Sequence, residues 1–189
     1  MQSVIQFSHQ LLADTLKPGD LAIDATCGNG HDTLKLAQFV GEKGKVYAFD
    51  IQEQAIENTR SLVSNANMKQ VEIIHDGHQH IEQYLDQQPI AGAIFNLGYL
   101  PKADHSITTL PKTTISAVDT ILSVLKQNGR VVLVIYHGHP GGADERDQLL
   151  SYCQQLDQKN YQVLQYQFIN QRNHPPFILA IEKTSTSAS

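Results

Sequence analysis

Short apolar runs rich in β-branched residues alternate with segments whose apolar residues recur every three or four positions. The runs LAIDATC (21–27), KVYAFD (45–50), VEIIH (71–75), IAGAIFN (90–96) and RVVLVIYH (130–137) predict five buried strands. Between them, HDTLKLAQFV (31–40), EQAIENTRSLVSNA (53–66), a shorter piece around QHIEQYL (79–85), a long piece at about 110–127 and ADERDQLLSYCQQL (143–156) predict helices. In the long one, Ile115, Val118, Ile121, Leu122 and Leu125 keep helical spacing, and Asn128-Gly129 is expected to end it with Gly129 as the left-handed cap. Ahead of the first strand, Val4, Ile5, Leu11, Leu12 and Leu16 fit an amphipathic helix. Such alternation of strand and helix dictates an α/β fold, a parallel sheet covered on both faces.

The rhythm breaks at the end. YQVLQYQFIN (161–170) and PFILAIEK (176–183) are joined by only QRNHP, too few residues for a crossover helix, so the two must form an antiparallel hairpin. No repeat or linker divides the chain. Residues 1–184 are expected to be one domain and 185–189 a disordered tail.

Composition narrows the function classes. Hydrophobic residues at 41% and charged residues at 17% are an ordinary globular balance. The N-terminus lacks the basic start and apolar centre of a signal peptide. Two cysteines, Cys27 and Cys153, do not make a disulfide framework, which favours a reducing, cytoplasmic setting. A net charge of −5 argues against a protein that grips nucleic acid over its whole surface, though not against a local basic rim, for which Lys102, Lys112 and Arg172 are candidates.

The first strand leads into DATCGNGHDT (24–33). Gly28 and Gly30 allow a sharp turn and close approach to a ligand, at which the following helix aims its free N–H groups. Asp24 lies in an apolar strand and needs a polar partner. Asp50 closes the second strand, where an acid can take both hydroxyls of a ribose. After the third strand, Asp76 is placed either to bond an adenine amino group or to cap a helix. The ligand is therefore a dinucleotide or S-adenosylmethionine. Thr33 stands where the dinucleotide fingerprint has its third glycine, and this, with the hairpin, disfavours an NAD-dependent oxidoreductase. The histidines cluster at His75, His78 and His80, and at His137 and His139, without cysteine partners or a zinc spacing, so no metal is expected.

These residues resemble a class I S-adenosylmethionine-dependent methyltransferase. DATCGNG is similar to that superfamily's first motif, AFDI to its ribose-binding acid, and the hairpin to its sixth and seventh strands. More narrowly, DATCGNGHDT, FNLGYLP (95–101) and YHGHPGG (136–142) together resemble a small bacterial family labelled as rRNA methylases. Its members of the MnmM type methylate the aminomethyl group of the tRNA wobble uridine. The resemblance implies a Rossmann-like, mostly parallel seven-stranded sheet, a homodimer, and the tRNA anticodon stem-loop as partner. It also implies a cofactor site built from Asp24, Thr26, Gly28, Asn29, Gly30, Asp32, Thr33, Asp50, Ile51, Gln52, Asp76, Gly77, His78, Asn96 and Leu97.

Amine methyltransferases of the superfamily often end the fourth strand in Asn/Asp-Pro-Pro-Tyr/Phe. Here NLGY keeps the asparagine and the aromatic and replaces both prolines. The chemistry explains the types: a nitrogen nucleophile needs its lone pair aimed and its hydrogens held by acceptors such as the Asn96 carbonyl, while Tyr99 supports a flat base. An aliphatic amine is mostly protonated at neutral pH, so a base is useful, and His105, Asp104, His137 and His139 are candidates. Asn96, Tyr99, His105 and His137 are the expected catalytic residues. Tyr99, Lys102, Asp104, His105, His139 and Arg172 are the expected substrate contacts. KADHSITT after GYLP departs from the family's usual glycine and lysine. A methyltransferase for rRNA or a small molecule is the alternative reading.

Overall fold

The computed structural model describes residues 1–85, 88–98 and 109–184. Five strands run parallel, β1 (Leu21–Asp24), β2 (Lys45–Asp50), β3 (Val71–His75), β4 (Ile90–Leu97) and β5 (Leu125–Ile135). They are joined by β6 (Tyr161–Tyr166) and β7 (Phe177–Lys183) into one seven-stranded sheet of order β3-β2-β1-β4-β5-β7-β6. β7 is antiparallel to both of its neighbours, and the connection from β6 is too short for the crossover helix that a parallel β6–β7 pair would need. This is the Rossmann-like methyltransferase architecture.

Strand residues alternate between the two faces, and the helices divide accordingly. On one face lie α1 (Val4–Ala13), α2 (His31–Val40) and α3 (Glu53–Asn65). Leu12, Leu36 and Val40 pack there against Ala22, Val46, Ile94 and Val132, while Ile56 meets Ala48 beside Cys27. On the other face, a 3-10 helix (His78–Tyr84), α4 (Pro111–Val124) and α5 (Gly142–Gln155) bring Ile81, Ile121 and Leu149 onto Ile23, Phe49, Phe95, Leu133 and Phe177. Phe49 and Phe95 are fully buried and each contributes about 2–3 kcal/mol of apolar transfer. α1 starts with Ser3 accepting from the Gln6 N–H and the Gln6 side chain accepting from the Ser3 N–H, a reciprocal cap.

The boundaries differ from expectation in several places. α4 ends at Val124 rather than 127, because Leu125 already bridges to Ile90 of β4. Four residues then bulge out before Arg130 pairs with Gly92. The expected cap at Gly129 is not formed; Asn128 takes the left-handed conformation at φ +60°. Glycine is needed at 129 for space, since a Cβ there would lie 2.8 Å from the Lys126 carbonyl oxygen. β1 stops at Asp24, where the backbone turns toward α2, and β5 stops at Ile135. The segment around 79–85 is a 3-10 helix. β6 ends at Tyr166 rather than 170, so ten residues, 167–176, connect it to β7. Residues 185–189 lie outside the described residues.

Because Ile135 pairs with Phe177, that connection emerges at the C-terminal edge of β5. The ends of the five parallel strands and the residues before β7 thus share one edge of the sheet.

Candidate active site

The turn from β1 into α2 is built around two carboxylates. Asp24 is fully buried, and its Oδ2 accepts from Thr33 Oγ1 at 2.6 Å while its Oδ1 accepts from the Thr26 N–H at 3.2 Å. These are the polar partners its place in an apolar strand demands. Burial, with the nearby Asp32 carboxylate second, pushes the Asp24 carboxyl up to about 8. Asp50 reaches across from β2: its Oδ2 accepts from the Gly28 N–H and its Oδ1 from the Gln52 N–H, each at 3.0 Å. Burial raises its pKa as well. Gly30, at φ +81°, opens α2 over α3, where Thr59 Oγ1 donates to the Gly28 carbonyl at 3.1 Å. Asn29 accepts from Asn58 at 2.9 Å, so the whole glycine turn is tied to β2 and α3.

The raised Asp24 pKa makes a stability prediction. Neutral Asp24 is favoured in the folded state over the unfolded one, so this group's contribution is fully present below its ordinary value near 3.8 and is lost as pH rises through about 8. Asp24→Asn, an isostere of the neutral acid, should therefore be more stable than wild type at pH 8–9. Thermal unfolding of both proteins across pH 4–9 should show that gap closing as pH falls; a gap independent of pH would count against a titrating Asp24.

At the end of β4, Asn96 shares the parity of Ile94 and faces α1 and α2. Its N–H donates to Thr26 Oγ1 at 2.7 Å, and its side-chain Nδ2 donates to Asp32 Oδ2. The other oxygen of Asp32 receives His9 Nε2, from α1, at 2.5 Å. Beyond it, Gly98 and Thr109 pair through Thr109 N–H to the Gly98 carbonyl (3.1 Å) and Gly98 N–H to Thr109 Oγ1 (3.0 Å). Thr109 Oγ1 in turn donates to Glu145, an acid buried at the start of α5 whose pKa burial raises. Leu97 has its side chain in the α4–α5 core, and its carbonyl accepts from the Tyr136 N–H. Tyr99, Lys102, Asp104 and His105 fall outside the described residues.

Asp76 accepts from the Gly77 N–H (2.7 Å), His80 Nδ1 (2.8 Å) and the Tyr84 hydroxyl (2.8 Å), and the His80 bond leads the causes that lower its pKa. His78 is buried, donates from Nδ1 to the Ala25 carbonyl at 3.2 Å and sets its ring edge-on to Phe95. His75 bonds the carbonyl of the exposed Ile51. His137 packs edge-on against His174 and Phe177, on the side of the sheet opposite to Asn96, and burial leads the causes that lower its pKa. His139 lies beside Gly98 and bonds the Pro140 carbonyl. Arg172 is exposed in the β6–β7 connection and Lys112 in the first turn of α4. Among the described residues no group of three or more His, Cys, Asp or Glu could hold a metal ion, and no helix is long and apolar enough to cross a membrane.

The structure therefore brings Asp24, Thr26, Asp32, Thr33 and Asn96 together, with Gly28, Asp50 and Gln52 adjoining, and turns His137 toward the hairpin. His9 was not among the expected residues. Its only signal in the sequence is position: it sits between Ile5 and Leu12 on the border of the apolar stripe of α1, a polar residue one turn from each.

The fold, the glycine turn, the acid ending β2 and the asparagine ending β4 define a class I S-adenosylmethionine-dependent methyltransferase. A family model described as "Putative rRNA methylase" matches residues 46–182, and the chain belongs to that family. It is 34% identical to the "tRNA (mnm(5)s(2)U34)-methyltransferase, chloroplastic" of Arabidopsis thaliana over 188 residues, covering 94% of this chain and 69% of that protein. A crystal structure of a protein of the same family description from Clostridium thermocellum superposes with a TM-score of 0.94 at 43% identity, covering 97% of this chain and 98% of the other. A Streptococcus mutans protein crystallised in complex with SAH superposes with a TM-score of 0.90 at 44% identity, covering 97% and 99%.

Proposed function

We propose that this methyltransferase acts on tRNA and converts the 5-aminomethyl group of (2-thio)uridine at the wobble position into 5-methylaminomethyl. The observation that carries the reading is Asn96. Its amide nitrogen is committed to Asp32, so its carbonyl oxygen is left to accept a hydrogen from a nitrogen nucleophile. The 34% identity to the chloroplastic tRNA enzyme over nearly the whole chain supports the choice of substrate.

The residues present suit S-adenosylmethionine. Each Asp50 oxygen accepts one backbone N–H and keeps a second lone pair for a ribose hydroxyl. Gly28 and Gly30, both at positive φ, leave two positions of the turn without a Cβ, and Asn29, Thr26, Asp32 and Thr33 border them. Ile51 and Gln52 are proposed to flank the ribose, Asp76, Gly77 and His78 the adenine, and Asn96 with the backbone of Leu97 the methyl end. When bound, the cofactor supplies a methyl group on a sulfonium: the C–S bond breaks, its electron pair staying on sulfur, as the neutral amine forms the C–N bond and becomes a secondary ammonium. Asn96 aims the nucleophile by accepting one of its hydrogens, and Tyr99 backs the base. The proton lost beforehand from the substrate ammonium goes to a neighbouring base or to water. His105 and Asp104 are the proposed bases; His137 faces the hairpin and is better placed to order it. His139, Lys112 and Arg172 are proposed as a rim for the anticodon stem-loop, enough for one splayed base, and Lys102, outside the described residues, is proposed as a further phosphate contact. The enzyme is proposed to work in the cytoplasm as a homodimer.

Mass spectrometry of tRNA nucleosides from a strain lacking the gene tests the reading. Aminomethyl-(2-thio)uridine should accumulate and disappear when the gene is restored; without accumulation the substrate assignment falls, and rRNA or a small molecule takes its place. In calorimetry with S-adenosylmethionine, Asp50→Ala should weaken binding about 30-fold, about 2 kcal/mol for lost charged hydrogen bonds. Unchanged affinity would remove Asp50 from the cofactor site.

A further inference from the structure

The His9–Asp32–Asn96 chain joins three elements that are far apart in sequence: α1, the first turn of α2 and the end of β4. Each link has a fixed direction. A carboxylate oxygen facing an N–H is the acceptor, so the His9 ring donates a hydrogen bond to one oxygen of Asp32 and the Asn96 amide donates to the other. The Asn96 amide can satisfy Asp32 in one orientation only, with Nδ2 toward α2 and Oδ1 away from it. Without Asp32, the amide could rotate by half a turn at little cost, and would then offer a donor where a methyl-accepting nitrogen needs an acceptor.

Asp32 alone does not complete the device. The carboxylate is half-buried, with its neighbours on the turn directed elsewhere: Thr33 and the Thr26 N–H serve Asp24, and the Gly28 N–H serves Asp50. Asp24, also beside it, is kept toward its neutral form. Among the described residues His9 is the partner that holds the second Asp32 oxygen, and it comes from a helix outside the alternating strand–helix unit. The backbone of Asn96 is secured separately by Thr26. Strand position and side-chain orientation therefore have different supports.

We infer that His9 is a positioning residue for methyl transfer: through Asp32 it holds the Asn96 amide with its oxygen presented to the substrate nitrogen. This deepens the proposed function and rests on it for the identity of the nucleophile, though not for the orientation of the amide.

Three measurements on the full-length protein test it. In single-turnover methylation of tRNA, His9→Ala should slow transfer about tenfold while S-adenosylmethionine affinity stays within about twofold. His9→Gln, which can still donate to Asp32, should recover most of that loss. Combined with Asn96→Ala, His9→Ala should cost nothing further, because the amide it orients is gone. Equal factors in both backgrounds would mean that His9 acts through general structure, and the inference would fail. The third measurement needs no substrate. In 15N-resolved NMR, the Asn96 Nδ2 protons, held against a carboxylate, should be separated from those of exposed asparagines and should lose that separation in His9→Ala. If tRNA is not methylated by the wild type but this shift change is seen, the substrate assignment falls and the positioning role stands. If the shifts are unchanged, the positioning role is overturned whatever the substrate.

Discussion

Asn96→Ala is expected to lower the rate of methyl transfer about 100-fold while leaving S-adenosylmethionine affinity within about threefold. The split follows from what the substitution removes. Alanine keeps the backbone N–H that donates to Thr26, so the end of β4 stays in place. It loses the carbonyl that aims the nucleophile, an interaction needed only once substrate nitrogen and methyl group are together. Asp32 loses one donor but keeps His9, which limits the damage to the turn. Asn96→Asp is the informative companion, since it would set a second carboxylate against Asp32. Like charges so close cannot both ionise readily, and either the new acid or Asp32 would take up a proton. Steady-state kinetics with tRNA, paired with calorimetry for the cofactor, measures both quantities. A matching loss of cofactor affinity and turnover in Asn96→Ala would make Asn96 a cofactor ligand and nothing more.

Gly30→Ala should destabilise the protein by about 2–4 kcal/mol, and its natural control is Gly141→Ala. The two glycines open α2 and α5 with almost the same backbone, φ 81° and ψ 5° at Gly30 against φ 82° and ψ −15° at Gly141. A side chain at either pays the left-handed strain of about 1 kcal/mol. Only at Gly30 does the new Cβ collide, at 2.9 Å from Thr59 Cα and 3.1 Å from Thr59 Oγ1; nothing lies within 4 Å at Gly141. That collision adds about 1–3 kcal/mol, because the obstacle is α3 backbone and cannot swing aside. Denaturant unfolding of both variants isolates the difference. Equal losses would show that the close approach of α2 to α3 can relax. A shift at Gly30 should also weaken cofactor binding, since Thr59 holds the Gly28 carbonyl.

The sequence discloses most where one rule acts alone. Alternation of buried runs with helical periods was enough for the five parallel strands, and QRNHP was too short for anything but an antiparallel return. That the glycine turn would meet Asp50 was legible because a turn opening a helix and an acid closing the neighbouring strand lie at the same sheet edge. Boundaries were less legible where two rules competed. Asn128-Gly129 reads locally as a helix stop, yet strand pairing at Leu125 claims the chain four residues earlier, and the glycine serves clearance instead. His137 reads as a cleft residue from its motif, whereas the pairing of Ile135 with Phe177 draws it toward the hairpin. His9 was beyond reach, since nothing local to α1 says that it will cross the N-terminus of α2.

The position of β7 has a consequence for synthesis on the ribosome. Strands emerge in chain order, but the sheet is not assembled in that order: β7 fits between β5 and β6. Until residues 177–183 have left the exit tunnel, the apolar edge Val131–Ile135 has no partner on that side, and β6 has no sheet to join. A nascent chain stalled before that point carries an open β edge of the kind that recruits other chains. Rare codons or truncations within the last strand should therefore be read first as aggregation hazards, even though none of those residues reaches the methyl-transfer site.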